Sequence, residues 1–151
     1  DFCLSRGLGD VYKRQALGLA QFERLDELVK VKRKHFEYYK NSLSGLDLEF
    51  NYEPENVFNS AWITGMVLGK SYKLNKTTFI KKLQQEGIPS RPFFYPLSKI
   101  PAYNQESEYK HINPTAYDIS NRGVNLPGAM NLTPEQLELV CTSIKRCLHE
   151  S

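Results

Sequence analysis

Apolar residues recur at helical spacing over the early part of the chain, from Ala16 to about Leu43. The pattern predicts one long amphipathic helix, with room for a bend, that ends near Gly45. Its apolar stripe consists of Leu17, Ala20, Leu25, Leu28, Phe36, Tyr39 and Leu43. The charged residues between these positions predict a solvent-facing side made of Glu23, Asp26, Glu27, Lys30, Lys32, Arg33 and Lys34.

The middle of the chain has short extended and helical patterns after a polar connector at 46–58. The residues NSAWITGMVLG, which end at Gly69, are rich in β-branched and aromatic side chains and predict a strand. Asn75 then has the position of an N-cap for a helix that runs to Glu86 and is closed by Gly87. The residues of this helix that we expect to face the core are Phe79, Ile80 and Leu83.

The last third of the chain begins with a predicted polar loop at 103–112. The Asn-Pro pair at 113–114 has the order of an N-cap and a first helical residue, and the helix that it opens is predicted to stop at Gly123. After a brief strand in VNLP, Thr133 and Gln136 are spaced as a capping box at the start of a final helix. Elements in this order predict an α+β fold, in which a small sheet has helices on one face and a long helix precedes it.

The first fifteen residues, DFCLSRGLGDVYKRQ, show neither a helical nor a strand period. Their glycines lack the spacing of a phosphate-binding loop. The string resembles the translated library-adapter sequence found at the ends of reading frames assembled from environmental DNA. We therefore expect residues 1–15 to be a non-native segment, 16–45 a linking helix and 46–151 a small domain, in a protein that naturally extends further toward its N-terminus.

Composition and charge exclude several classes of protein. The hydrophobic share of 40% and the charged share of 25% are ordinary for a globular chain of 151 residues. A net charge of +3 is too small to indicate a nucleic-acid or membrane partner, and no apolar run is long enough to cross a bilayer. The 3 cysteines and 3 histidines lack the spacing of disulfides or of a zinc site. We expect a cytoplasmic protein without a metal.

The basic run VKVKRKH, which includes Lys30 and Lys34, leaves a nucleic-acid-binding alternative open. Such a module would combine these cations with the aromatic residues near position 94. Acidic residues one turn earlier balance the run, which favours a solvated helix face with charge pairs three or four residues apart.

The stretch GIPSRPFFYP, which starts at Gly87, has unusual chemistry for a soluble domain. Pro89 and Pro92 restrict the backbone around Arg91, and a guanidinium held in this way suits a carboxylate or a phosphate. The aromatic residues at 93–95 are predicted to alternate across a strand, so that one or two are buried and another lines whatever Arg91 faces. The alternative is that Arg91 makes a structural ion pair and the aromatic rings fill the core.

Four stretches in order carry a family resemblance, and together they cover the chain after Gln15: ALGLAQFERLDELVKVKR, NSAWITGMVL, GIPSRPFFYPLSKIPAY and SNRGVNLPGAMNLTPEQLELVCTSIK. The chain resembles the C-terminal part of the DegT/DnrJ/EryC1/StrS sugar aminotransferases, and is most similar to the GDP-perosamine synthase-like members. The resemblance implies the small C-terminal domain of a fold-type-I enzyme that uses pyridoxal 5′-phosphate. It also implies transfer of an amino group from glutamate to a nucleotide-linked keto-sugar.

The resemblance assigns substrate binding to Arg91, Phe94 and Tyr95, with Arg91 contacting an anion and Tyr95 shaping the sugar pocket. Many relatives have histidine at the position of Ser98, which leaves its role open. Two further stretches match recurrent patterns. The first holds Asn59 and Trp62, and core packing is expected at the tryptophan. The second holds Arg122 and Asn125, which either form a structural turn or act in function.

The family's Schiff-base lysine and its pyridine-binding aspartate belong to a large domain that precedes the matched region, so no residue here is assigned as catalytic or cofactor-binding. The resemblance thus implies that pyridoxal phosphate is bound by that missing large domain, that this chain alone is inactive, and that the parent is a homodimer in polysaccharide biosynthesis. An alternative of a different class is a non-catalytic interaction domain, or a pseudoenzyme partner subunit with the same fold.

Overall fold

The computed structural model describes residues 4–103 and 106–149 of the chain. Its elements, in chain order, are α1 (Leu4–Phe22), α2 (Leu25–Ser42), β1 (Leu48–Phe50), β2 (Gly65–Leu68), α3 (Lys76–Gln85), β3 (Arg91–Pro92), a 3₁₀ turn (Leu97–Lys99), α4 (Glu106–Ile112), α5 (Pro114–Arg122), β4 (Gly123–Asn125) and α6 (Pro134–His149).

The four strands form one antiparallel sheet in the order β1-β2-β4-β3. Gly65 and Arg91 both lie opposite Asn125, on its two sides, while Met66 lies opposite Val124. Because side chains alternate between the two faces of a strand, Arg91 and Asn125 share one face and Met66 and Val124 share the other. The α+β class predicted from the sequence is confirmed.

The hydrophobic core lies on the face of the sheet that carries Met66 and Val124, both fully buried. Helices α2, α3 and α6 supply the apolar side chains that cover this face. The main contributors are Tyr39, Leu43, Phe79, Leu83, Leu137, Val140, Ile144, Cys147 and Leu148. The opposite face of the sheet carries Arg91 and Asn125.

The predicted long helix is two helices, because the chain turns at Glu23 and Arg24 between α1 and α2. The first helix also begins at Leu4, although residues 1–15 showed no helical period. Within α1, Leu17 and Phe22 are 65% and 72% exposed, so the first part of the expected apolar stripe has no core to cover within the described chain. Whether residues 1–15 are foreign to the protein stays a prediction.

Two helix starts follow the predicted capping chemistry. Asn75 Oδ1 accepts a hydrogen bond from the Thr78 amide at 2.9 Å at the start of α3. At α6 the Thr133 amide donates to Gln136 Oε1 at 2.9 Å and the Gln136 amide donates to Thr133 Oγ1 at 3.3 Å, which completes a capping box. These local contacts fix the two helices that cover the sheet.

Two predicted boundaries were wrong. The residues at 106–112, expected in a polar loop, form the short helix α4. The strand expected from Asn59 starts only at Gly65, because Ala61 has a left-handed backbone with φ of 51° and turns the chain. In the described part of the chain no helix is long and apolar enough to span a membrane, and no cluster of metal-binding side chains is found.

Candidate functional site

A groove lies beside strand β3 and holds two of the three residues proposed from the sequence. Its volume is about 430 Å³, within the range of small-molecule sites. We call it the Arg91 groove, and the described residues that line it are Lys32, Trp62, Ile63, Pro89, Arg91, Pro92, Phe94, Asn125, Leu126, Pro127 and Gly128. Because none of these is a carboxylate and two are cations, the groove favours an anion.

The guanidinium of Arg91 is exposed and makes no ion pair or hydrogen bond with any residue that the structure describes. The other arginines whose side chains are described each pair with a carboxylate: Arg14, Arg24, Arg33, Arg122 and Arg146. Arg91 therefore does not form, with any described residue, the structural ion pair that was the alternative interpretation. A free guanidinium in a groove can bind a phosphate through two parallel hydrogen bonds.

Phe94 is held in the groove by its neighbour. The ring of Phe93 lies against Gly65 and Gly123, where an added Cβ would meet a ring atom at 3.0 Å in each case. Phe94 is 63% exposed and contacts Phe93 edge-to-face, with ring centroids 6.0 Å apart. One aromatic residue thus anchors the segment and the next lines the groove beside Arg91, although the strand itself covers only Arg91 and Pro92.

Tyr95, the third proposed residue, is not among the lining residues of the Arg91 groove. Its ring is 54% exposed and lies near two ammonium groups, 5.0 Å from Lys76 Nζ and 5.9 Å from Lys99 Nζ. Lys76 also donates a hydrogen bond to the carbonyl of Ser120, and burial, followed by the charge of Lys99, lowers its pKa. The aromatic segment therefore presents a second cationic surface next to the groove.

Trp62 was expected to pack in the core, and that expectation was wrong. The side chain is 66% exposed and lines the Arg91 groove. The cause is the turn before it, in which Asn59 Oδ1 accepts a hydrogen bond from the Ala61 amide at 2.8 Å. An asparagine whose side chain bonds the backbone two residues later typically forms a turn. Asn59 was therefore a sequence signal for a turn, but the strand pattern of the following residues was given more weight.

Lys32 and Arg33 support the groove from helix α2 and do not form the solvated face that the pattern predicted. Lys32 Nζ donates to the carbonyl of Trp62 at 3.2 Å and to the carbonyl of Gly128. Arg33 donates to Glu53 Oε1 at 2.8 Å and to the Asn59 carbonyl at 2.6 Å. The central cations of the basic run are thus used inside the fold, which weakens the nucleic-acid alternative.

Arg122 and Asn125, whose roles the sequence left open, have different surroundings. Arg122 forms a bidentate ion pair with Asp118, at 3.1 and 2.5 Å, and donates to the carbonyl of Leu68. Its environment is that of a structural residue, and the ion pair lowers the pKa of Asp118. Asn125 instead lines the groove, where its Nδ2 lies 3.4 Å from the Pro92 carbonyl and its buried Oδ1 has no hydrogen-bond partner.

Ser98 lies in a second cavity of about 480 Å³, beside the 3₁₀ turn. Its hydroxyl and that of Tyr117 are hydrogen-bonded at 2.6 Å. Tyr117 is 3% exposed, so this bond fixes the 3₁₀ turn to helix α5. The position gives Ser98 a structural contact, and its functional role stays untested.

The described residues of the groove do not fit pyridoxal phosphate. Lys32 is the lysine that lines it, and its ammonium is already bonded to two carbonyl oxygens. None of the described lining residues is an aspartate or glutamate that could bind a protonated pyridine nitrogen. The groove therefore offers anion binding and aromatic surface, and no step of cofactor chemistry is derived from it.

Sequence comparison finds curated relatives of this chain among sugar aminotransferases. The chain is 35% identical over 130 residues to a GDP-perosamine synthase of Vibrio cholerae, a match that covers 86% of this chain and 35% of that enzyme. The chain thus spans about a third of the length of the curated relatives that it matches.

Solved structures share the fold at lower identity. PseC of Helicobacter pylori, an aminotransferase involved in the biosynthesis of pseudoaminic acid, superimposes with a TM-score of 0.76 at 16% identity, covering 90% of this chain and 37% of PseC. DesI, solved in the presence of its TDP-sugar product, gives a TM-score of 0.78 at 16% identity over 88% of this chain and 34% of DesI. A family sequence profile matches residues 14–145, and the chain belongs to the DegT/DnrJ/EryC1/StrS aminotransferase family.

Proposed function

We propose that this chain is the nucleotide-sugar-binding part of an aminotransferase that moves an amino group from glutamate to the 4-position of a GDP-linked keto-deoxysugar. The observation that carries the proposal is the guanidinium of Arg91, which has no partner among the described residues and lines one groove with the exposed ring of Phe94. The GDP-perosamine synthases among the relatives support this substrate class. The parent enzyme would be a cytoplasmic homodimer in polysaccharide biosynthesis, such as that of O-antigen.

The chain's own residues would bind and orient the substrate. Arg91 binds the diphosphate through two parallel hydrogen bonds, because its planar fork matches two phosphate oxygens. Phe94 provides an apolar wall that excludes water on one side of the groove. Tyr95, between two ammonium groups, borders the sugar end.

The family uses pyridoxal 5′-phosphate, which supplies the electron sink for amino transfer when it is bound. In this proposal a large domain outside the chain holds the cofactor through its lysine, and this chain alone does not transaminate. The small domain would then orient the substrate and so set the distance between the keto carbon and the cofactor. The rate of such reactions is highly sensitive to this distance.

Calorimetric titration of the chain with GDP-mannose tests the binding role. We expect a dissociation constant of about 10 µM to 1 mM. Arg91→Ala should weaken binding about tenfold or more, and Arg91→Lys should recover part of the loss, because a lysine keeps the charge without the fork. The matched control is Arg24→Ala, which removes an exposed cation outside the groove. No binding by the unaltered chain, or equal binding by Arg91→Ala, contradicts the proposal.

The coding sequence upstream of Ala16 in the source genome tests the catalytic half. We expect a domain with a cofactor-binding lysine there. A domain of the same fold that lacks this lysine would instead support the alternative of a non-catalytic partner subunit. The two experiments are independent, because the first concerns the groove and the second concerns the cofactor.

A further inference from the structure

We propose that Trp62 is the nucleobase platform of the Arg91 groove: the base of the nucleotide-sugar stacks on its indole ring while Arg91 holds the diphosphate. This inference rests on the proposed function and adds a base-binding residue to it. Trp62 lines the same groove as Arg91 and Phe94, although the four chain segments that line the groove are far apart in the sequence.

The exposure of Trp62 is the first observation behind this assignment. A tryptophan is highly buried on average in folded proteins, whereas this ring is 66% exposed. It lies in a concave site and not on a convex surface. An aromatic face of this size accepts any nucleobase, because every base has a π-face to stack on it.

The backbone at Trp62 is fixed by the fold. Lys32 Nζ donates a hydrogen bond to the backbone carbonyl of Trp62 at 3.2 Å, and the amide of Ala61, one residue earlier, donates to Asn59 Oδ1. Backbone that is already ordered loses less conformational entropy when the ligand arrives. The segment that carries the indole ring is therefore preformed.

The charge and polarity of the groove fit a nucleoside diphosphate better than an uncharged aromatic ligand. Lys32 and Arg91 are both cationic, and no carboxylate is found among the described lining residues. Asn125 also lines the groove, and its side-chain amide offers a polar group to the base or the ribose. The groove thus has Arg91 for the phosphates, Asn125 for the polar edge of the base or the ribose, and Trp62 for the face of the base.

The chain contains 1 tryptophan, so its tryptophan emission reports on this groove alone. The experiment titrates the chain with GDP while tryptophan is excited at the red edge of its absorption, and repeats the titration with inorganic pyrophosphate. We expect saturable quenching of Trp62 by GDP. Pyrophosphate should bind, as measured by calorimetry, with little change in emission, because it lacks the stacking base.

Two substitutions separate the base contact from the phosphate contact. Trp62→Ala should weaken GDP binding about 5- to 150-fold and leave pyrophosphate affinity unchanged, while Trp62→Phe should keep most of the affinity. Arg91→Ala should weaken both ligands. The matched control is Tyr52→Ala, which removes an aromatic ring that is 83% exposed and lies outside the groove. Far-ultraviolet circular dichroism checks that each variant folds.

Equal GDP affinity of Trp62→Ala and the unaltered chain, or calorimetric GDP binding without any change in emission, overturns the platform. If Arg91→Ala still loses affinity in that case, the proposed function stands and only the inference about Trp62 fails. If neither GDP nor pyrophosphate depends on Arg91, the proposed function itself fails.

Discussion

The ammonium group of Lys32 donates a hydrogen bond to the carbonyl oxygen of Gly128, which lies 96 residues further along the chain. A second bond from the same group reaches the carbonyl of Trp62 at 3.2 Å. Trp62 and Gly128 both line the Arg91 groove, so one side chain of helix α2 joins two of its walls. The groove is held open by an internal cation as well as by the sheet.

Replacing Lys32 with methionine should therefore loosen the groove. We expect a loss of about 1–3 kcal/mol in the free energy of unfolding, because charged hydrogen bonds to two carbonyl groups disappear. GDP affinity should fall as well. Urea denaturation and calorimetry measure the two effects. Lys34→Met is the control, since Lys34 is exposed, and an equal loss in that variant would contradict the assigned role.

Gly123→Ala should displace the aromatic segment. An added Cβ would lie 2.7 Å from the carbonyl oxygen of Ile119 and 2.7 Å from Cβ of Phe93, and the backbone atom cannot move aside cheaply. We expect a destabilisation of about 1–3 kcal/mol in urea denaturation. Gly18→Ala is the control, because nothing lies within 4 Å of an added Cβ there, and it should be neutral or stabilising.

We expect the protein to lose stability in weak acid because of the surroundings of His35. Burial, followed by the charges of Lys32 and Lys34, lowers the pKa of this imidazole, and its Nδ1 has no hydrogen-bond partner. Below the ordinary pKa of about 6.5 the unfolded chain takes up a proton that the folded chain resists. Stability should therefore be unaffected by His35 above that value and should fall as the pH decreases below it.

Urea denaturation at about pH 7.5 and pH 5.5 measures this effect, since these values bracket the ordinary histidine pKa. His35→Gln should be less sensitive to the change of pH than the unaltered chain, whatever its absolute stability. The ion-paired carboxylates Glu53 and Asp118 have lowered pKa values, so their contribution is lost only at more acidic pH. An identical pH dependence in His35→Gln would exclude His35 as the cause.

Arg122→Met tests whether this residue is structural. Its bidentate pair with Asp118 and its bond to the Leu68 carbonyl connect helix α5 with strand β2. We expect a loss of about 1–3 kcal/mol in urea denaturation, because the Leu68 carbonyl and Asp118 both lose a charged donor. GDP affinity should stay unchanged, and a selective loss of binding with full stability would assign Arg122 to the site.

Local chemistry made part of the fold predictable from the sequence. Asn75 and the pair of Thr133 and Gln136 bond to backbone groups within three residues, so their helix starts depend on nothing distant. The break at Glu23 has no such local signal, because neither glycine nor proline occurs there. Helix α4 was missed for a similar reason, since its polar sequence has no apolar stripe.

The candidate site was predictable where the backbone is stiff and not where tertiary contacts decide. Pro89 and Pro92 mark Arg91 as a presented cation in the sequence itself. The outward position of Trp62 depends on a turn at Asn59. The carbonyl of Asn59 accepts a hydrogen bond from Arg33 of helix α2. A strand pattern read alone assigns this ring to the core, because it shows neither the local turn at Asn59 nor the hydrogen bond to that turn from Arg33, 26 residues away.

The walls of the Arg91 groove come from segments that meet only after the chain has folded, as the bridge from Lys32 to Gly128 shows. An unfolded chain has no such cavity, so a ligand of the groove binds the native state alone and raises the melting temperature with the logarithm of its concentration above the dissociation constant. At a hundred times the dissociation constant this linkage is worth about 2.7 kcal/mol. Supply of the nucleotide would then govern how long each molecule resists proteolysis, and a depleted pool would shorten its lifetime.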